Sequence, residues 1–420
     1  MEGVGLSDAQ RSFVGVLALI AGGALALRLV YALGLAPDLV GLDDDSFYHL
    51  TALELADGHG YVGTFDVFVS GEKEPTADHP PLYALVLSFL ARLGARSVDA
   101  QRMVGACTGT LTVVAVGLAA RQLCGRYAGW AAASLCAVYP AFIAADGAIM
   151  SESLYGMLVG FALVLALVLV ERPSIPGTGL LGLLIGLAAL TRSEGLLLLP
   201  LLAVPVLVAA PGRRILTGAT IAVVAILAVA PWVIRNIDVF GEPVYSTNDG
   251  ATLAGANCQQ TYYGDEIGDF DFACIAAVDQ PRTDNRAVRS RALRRAAVDY
   301  AGDHPGRALV VAGLRLARLW GLYAPGDQFD ATGRHHTVQL AGSLVFYVVL
   351  AVALVGAILL VRAGRLLSLG VLLTPIVVSS LTAVLTYGLV RLRHIAEISL
   401  LVLAGIAVAH LITVRARPLD

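Results

Sequence analysis

Charge is what this sequence has least of. Only 15% of its 420 residues are Asp, Glu, Lys or Arg, where a soluble domain carries about 25%. With 57% hydrophobic residues and a mean hydropathy of +0.76, that shortage excludes most soluble enzymes. Lysine is nearly missing: Lys73 is the only one, and every other cation is arginine. The formal net charge is −3, so composition gives no support to nucleic-acid binding. Disorder is excluded too, because it needs low hydrophobicity and high net charge.

Apolar runs are what the sequence has in abundance. A helix needs about 20 apolar residues to cross a bilayer core. Ten runs are read as spans: 13–35, 100–123, 128–145, 154–170, 178–190, 195–210, 215–234, 338–361, 366–387 and 394–414. Lipid offers the backbone no hydrogen-bond partner, so each must be a helix. The expected fold is an all-α polytopic membrane protein with about ten transmembrane helices. Run 81–93 is too short to span at about 12 residues and is read as an interface helix. Run 13–35 is too long for a signal-peptide core and lacks a small-residue cleavage site, so it reads as a retained first span.

Arginines in short loops orient the spans. With the N-terminus inside, the inner loops hold Arg121, Arg126, Arg172, Arg213, Arg214, Arg362, Arg365, Arg415 and Arg417. Both termini are then cytoplasmic. Two long segments, 36–99 and 238–337, fall outside and are expected to carry interfacial amphipathic helices. This divides the chain into an N-terminal membrane module (1–237), a second outer loop (238–337) and C-terminal spans (338–420). The spans are nearly free of Asp and Glu, which a transporter would need at the midplane. Arg28 is their clearest ionisable group, and its long stem is expected to snorkel outward.

Polar chemistry therefore gathers at the outer ends. The first loop opens with Asp43-Asp44-Asp45-Ser46-Phe47-Tyr48. Asp45 or Ser46 suits an N-cap, and Phe47, Leu50, Leu53 and Ala56 follow at helical spacing. A helix N-terminus favours negative charge, so one of these carboxylates can stay ionised as a general base; a plain capping turn is the alternative. His79-Pro80-Pro81 starts the interface helix, with His79 as a ligand, a phosphate donor or a simple loop histidine. Ser151-Glu152-Ser153 follows the third span, and Arg192-Ser193-Glu194 the fifth. Trp232 and Arg235 end the seventh, as an aromatic belt and a snorkelling cation would. Arg391, Arg393 and His394 make a basic cluster on the side the positive-inside rule disfavours, and an anionic ligand explains it. Carboxylates and arginines at the outer ends of five spans suit transfer from a lipid-linked phosphate. One carboxylate would deprotonate the acceptor, and arginines would stabilise the departing phosphate.

Cys258 and Cys274 both fall in the second outer loop, on the oxidising side, and are expected to form a disulfide. Closing about 15 residues is worth roughly 3 kcal/mol on the chain-entropy estimate. A zinc pair is the weaker alternative, since no CxxC accompanies them. Two helices are expected in this loop. One runs from Asp284 to Tyr300. The other starts at Asp303-His304-Pro305, with Leu309, Ala312, Leu316, Leu319 and Trp320 on one side and Arg307, Arg315 and Arg318 flanking them, as in an interfacial helix.

The order of these motifs resembles the bacterial GT-C membrane glycosyltransferases of the protein-mannosyltransferase and aminoarabinose-transferase type. Asp44-Asp45-Ser46-Phe47-Tyr48 with Gly60-Tyr61, His79-Pro80-Pro81-Leu82-Tyr83, Ser151-Glu152-Ser153-Leu154, Arg192 to Gly195, Pro231 to Asn236 and Arg391 to Arg393 are similar to that family's landmarks. The resemblance implies an inverting transferase that moves a sugar from a polyprenyl-phosphate donor to an acceptor hydroxyl. The reaction would take place at the outer face of a bacterial cytoplasmic membrane. It implies Asp44 as base, with Asp43 and Asp45 as neighbours able to displace it, and Glu152 as a second acid. Tyr48, His79, Arg192, Arg235, Arg391 and Arg393 are the implied substrate contacts. No cofactor is certain; a divalent metal is left open, with Asp44, His79 and Glu152 as candidate ligands. The chain departs from some relatives at Asp45, where Glu is common, and before Pro80, where some carry Lys. The acceptor could be glycan, lipid or protein, and the partners are the lipid donor and the bilayer. A transporter or flippase, or a glycan ligase, is the alternative.

Overall fold

The computed structural model describes residues 8–39, 43–64, 71–328 and 334–415. Helix α1 (Asp8–Gly34) leads into α2 (Asp44–Ala56) and α3 (Leu82–Arg92). Then come α4 (Val98–Ala137), the short α5 (Pro140–Asp146), α6 (Glu152–Glu171) and α7 (Ile175–Thr191). A 3-10 turn (Ser193–Leu197) precedes α8 (Leu198–Ala209) and α9 (Arg214–Phe240). The next segment is built from α10 (Asp249–Ala256), α11 (Gln259–Tyr263), α12 (Phe272–Ala276), α13 (Arg286–Asp303) and α14 (Pro305–Leu319). Helices α15 (His336–Arg362), α16 (Leu366–Leu385) and α17 (His394–Arg415) follow. Arg417 lies outside the described residues. Among the described residues there is no strand, only an isolated bridge between Val62 and Pro75.

Seven of these helices are long and apolar enough to cross a membrane: α1, α4, α6, α9, α15, α16 and α17. Helix α4 covers the second expected span and most of the third. Its backbone leaves helical geometry at Cys124 and Gly125, with Gly125 at φ +81°, a conformation that glycine adopts without a Cβ clash. The runs at α7 and at the 3-10 turn with α8 are apolar but shorter. These seven helices carry eight of the ten expected runs, α4 holding two of them, so length and composition support seven crossings directly. The interior belongs to α17, whose apolar window is 78% buried, and to α4 and α6 at 67%. Helices α1 and α9 bury only 22% of theirs and turn Leu19, Ile215 and Leu227 outward. A water-facing surface of that kind would cost about 25 cal/mol per Å²; hydrocarbon removes the cost.

Arg28 corrects the sequence reading. It does not snorkel: the side chain is fully buried, and its Nε donates to Asp146 Oδ2 at 2.7 Å. Its Nη1 donates to the carbonyls of Ala137 (3.0 Å) and Ala24 (3.3 Å). The pair fits because α4 offers Gly109 beside Asp146; a Cβ there would stand 1.9 Å from Asp146 Oδ2. Removing one member leaves an uncompensated buried charge, which costs about 3–5 kcal/mol. We therefore expect Asp146→Ala to lower the thermal midpoint of the detergent-solubilised protein strongly. Arg28→Met with Asp146→Leu should restore much of it. An Asp146→Ala protein as heat-stable as the parent would contradict this.

The second loop's arginines also differ from expectation. Arg315 and Arg318 face inward on α14 rather than flanking an interfacial stripe. Arg318 pairs with Asp269, and Arg315 donates to the Val384 carbonyl (3.0 Å) and to that of Ala256. Leu309 and Val310 are exposed. A guanidinium has five donors, and carbonyls nearby take those of the Arg315 Nη1 and Nη2 atoms. Cys258 and Cys274 are joined as a disulfide, with Cα atoms 5.9 Å apart, linking the N-cap of α11 to the middle of α12.

Candidate active site

The turns that end α1, α7, α9 and α16 and begin α6 meet at one end of the bundle. Helix α2 starts with Asp43 at the N-cap position, whose side chain makes no capping hydrogen bond. Asp45 or Ser46 therefore does not cap it. Asp45 is buried instead and accepts from the Ser46 amide at 2.7 Å. Asp44 lies in the first turn, half-buried, and points across the site. Its Oδ2 accepts from Arg391 Nη2 at 2.8 Å, and its Oδ1 stands 3.4 Å from His79 Nε2. Ring packing against Phe47 (centroids 4.8 Å apart) and Tyr48 (5.2 Å) fixes the imidazole. Tyr48 in turn packs edge-on against Tyr83.

These environments separate the three aspartates. Burial works against ionisation of Asp44, but the Arg391 guanidinium and the His79 hydrogen bond outweigh it and hold the carboxyl far below its usual range. Burial pushes Asp43 up, and the neighbouring Asp44 charge adds to that. Burial likewise raises Asp45, against the Ser46 amide. Asp44 is thus the carboxylate whose charge the site secures. Burial also pushes the Tyr48 phenol above its ordinary value, which keeps it a hydrogen-bonding group.

Arg192 organises the next element. Its Nε donates to Glu194 at 2.5 Å, and its Nη1 lies 3.3 Å from Ser151 Oγ and 3.2 Å from Glu152 Oε1. Glu152 is 2% exposed, and among the described residues neither carboxylate oxygen accepts a hydrogen bond of good geometry. Buried acceptors rarely stay unsatisfied, so Glu152 can receive a donor from a ligand.

Beyond Arg391 lies a small cavity of about 10 Å³, with Arg334, Gln339, Ser343, Arg391, Arg393, His394 and Glu397 in its lining. Arg334 Nη2 and Arg391 Nε are buried and have no hydrogen-bond partner among the described residues. Arg393 is neutralised by Glu397 at 2.5 Å and lies 3.6 Å over the Phe346 ring, so its charge is already committed. Arg235 lies apart from the Asp44–Arg391 contact. It donates to the carbonyls of Thr76 (2.7 Å) and Tyr61 (3.1 Å) and to Asn236 Oδ1 (2.9 Å), which makes it a brace for the first loop.

Asp44 and His79 meet, whereas Glu152 is held by Arg192. Among the described residues no group of three or more His, Cys, Asp or Glu is placed to hold a metal. A divalent ion at Asp44 would also have to displace the Arg391 guanidinium. The three candidate ligands do not form a metal site as arranged. Arg334, Asp78 and Glu397 are site residues that the sequence reading did not single out. Arg334-His335-His336 borders a span at the same end as Arg391, but it belongs to the long segment 238–337, where the positive-inside rule does not apply and so gave no signal.

Residues 78–234 match the family of dolichyl-phosphate-mannose-protein mannosyltransferases. The matched stretch begins beside His79 and ends beside Arg235. The fold is shared with the archaeal oligosaccharyltransferase AglB of Archaeoglobus fulgidus in complex with an inhibitory peptide and a dolichol-phosphate. That structure superposes with a TM-score of 0.58 and 14% identity over 96% of this chain and 50% of its own. The same organism's oligosaccharyltransferase tethered to an acceptor peptide gives 0.60 and 16% over the same shares. This chain therefore spans about half the length of those enzymes. The ArnT of Cupriavidus metallidurans bound to undecaprenyl phosphate superposes more loosely, at 0.42 and 17% over 94% of this chain and 78% of its own. No curated protein matches the sequence. The chain shares the fold of half of that archaeal enzyme's length.

Proposed function

We propose that this protein is an inverting glycosyltransferase that moves a sugar from a polyprenyl-phosphate donor to an acceptor hydroxyl at the outer face of the membrane. One observation carries the reading: Arg391 is shared between the Asp44 carboxylate and the arginine-lined cavity. A base and an anion clamp therefore stand side by side. The acceptor hydroxyl gives its proton to Asp44 as its oxygen bonds the anomeric carbon. The bond from that carbon to the phosphate oxygen breaks, and the polyprenyl phosphate leaves with the electron pair. Arg334 and Arg391 oppose the charge that develops on the phosphate. Glu152, buried with open acceptor positions, orients the acceptor.

The sharing has a further use. A carboxylate held far below its ordinary pKa is a weak base. A donor phosphate that draws on Arg391 loosens its hold on Asp44 and strengthens the base only when donor is present. The family match, and the dolichol-phosphate and acceptor peptide bound by the archaeal enzyme of the same fold, agree with lipid-linked sugar transfer. The arginines of the expected inner loops support an outer position for this end of the bundle. Under this reading segments 1–237 and 338–420 form the membrane module, and 238–337 is an outer loop over the site.

The test is lipid analysis of membranes from a strain lacking this chain. A polyprenyl-phosphate monosaccharide should accumulate and disappear on complementation. Accumulation of a lipid-linked oligosaccharide would instead indicate a ligase or flippase, and no accumulating lipid would remove the donor class.

A further inference from the structure

We infer that Asp78 and Arg286 form a latch through which segment 238–337 holds His79 against Asp44. Both are positioning residues; the inference rests on the role proposed above for Asp44. Asp78 immediately precedes His79. Its Oδ2 accepts from Arg286 Nη1 at 2.9 Å, and its Oδ1 accepts from Thr247 Oγ1 at 2.6 Å. Its carbonyl accepts from Ser246 Oγ at 2.9 Å. One residue earlier, the Ala77 carbonyl accepts from the Thr247 amide (3.0 Å) and the Ala77 amide donates to Thr247 Oγ1 (3.2 Å).

The opposite side of the strip is held by the membrane module. Tyr61 OH donates to the His79 carbonyl at 3.0 Å, and Arg235 donates to the Thr76 carbonyl. Residues 76–79 are therefore gripped between two parts of the chain far apart in sequence. Local helix formation does not explain the acid. Helix α3 starts at Leu82, with Pro81 at its N-cap and no side-chain cap, so the Asp78 carboxylate is not a capping group. Both of its oxygens serve the second segment. Arg286 is equally well placed: Asn285 caps α13 and donates to the Phe240 carbonyl at 3.0 Å, which ties the start of α13 to the end of α9.

The pair is mostly buried, with 17% of the Asp78 side chain and 12% of the Arg286 side chain exposed, so it is screened less than a surface pair. A shift of about 1 Å at a reacting centre can cost about a hundredfold in rate. Docking of segment 238–337 thereby becomes a condition for a correctly built Asp44–His79 contact.

Two measurements on the full-length protein in detergent test the latch. The first is hydrogen–deuterium exchange. In Asp78→Ala and Arg286→Gln, exchange should rise over 75–80 and 244–249 while α4 and α17 stay as protected as before. The second is the transfer rate with the lipid that accumulates in the deletion strain. Each variant should lose about 10- to 100-fold in kcat with little change in donor KM, and the acid limb of its pH profile should move up as Asp44 loses His79. Arg286→Lys should recover most of the rate. In a His79→Ala background, Asp78→Ala should add less than about twofold, because positioning residues act through their target and are not additive. Unchanged exchange, or full additivity with His79→Ala, overturns the latch. An active Asp44→Asn enzyme would instead remove the role assigned to Asp44, and the exchange result would still judge the latch by itself.

Discussion

Asp44→Asn is expected to abolish transfer, by about 10²–10⁴-fold, the range that a positioned general base contributes. The change keeps the shape and a hydrogen-bonding oxygen for Arg391, so membrane insertion and thermal stability should stay near those of the parent. Asp43→Asn and Asp45→Asn are expected to lose far less. Burial raises both, whereas Asp44 is the one of the three that pairs with Arg391 among the described residues. Initial rates with the accumulated donor, beside the thermal midpoints, check all three. An active Asp44→Asn protein, or an Asp45→Asn protein as impaired as Asp44→Asn, would move the base elsewhere.

Replacing Arg391 should produce the second-largest effect, and its signature lies in pH. A base works while deprotonated, so activity falls as pH drops through its pKa. With Arg391 and His79 in place, that pKa is held well below the usual carboxylate range, and the acid limb of kcat/KM should lie below pH about 4. Arg391→Gln removes the principal opposing charge and leaves the burial. The limb should then rise to or above the ordinary value of about 4. The rate should fall by about 10²–10³-fold, as when one preorganised charge-stabilising donor is lost. Arg391→Lys should return the limb downward, since the charge is restored. It should recover the rate only in part, because an ammonium lacks the planar fork that binds carboxylate and phosphate together. A pH profile indifferent to residue 391 would separate Arg391 from Asp44.

Arg391 also explains why burial and pairing must be read together at this site. Four arginines, 192, 334, 391 and 393, stand near it, but two already face carboxylates that neutralise them: Arg192 meets Glu194 and Glu152, and Arg393 meets Glu397. Arg391 meets the half-buried Asp44, and among the described residues its Nε and the Nη2 of Arg334 have no partner. Unsatisfied donors at the cavity, rather than a count of positive charges, mark where an anion would sit.

Much of the architecture is determined by the sequence alone, for a simple reason. Long apolar runs must be helices in lipid, and charge is too costly to scatter among them, so the ends of those runs collect the polar groups. Asp44, His79, Glu152, Arg192 and Arg391 are singled out as candidates in this way, and folding brings Asp44 beside His79 and Arg391. Tertiary structure decided the rest. Arg28 reads as a snorkelling cation until Asp146 is folded against it across the Gly109 gap. Arg315 and Arg318 read as the rim of an interfacial stripe until loop carbonyls and Asp269 take their protons. Arg235 and Arg391 look alike in sequence, yet one braces backbone carbonyls and the other joins Asp44 to the cavity. Asp78 gives no local signal, because its partners lie about 170 and 210 residues away. Sequence patterns report whether a residue faces lipid or water. They do not report which opposite charge a buried one meets, and that partner sets whether it is spent on structure or left for a substrate.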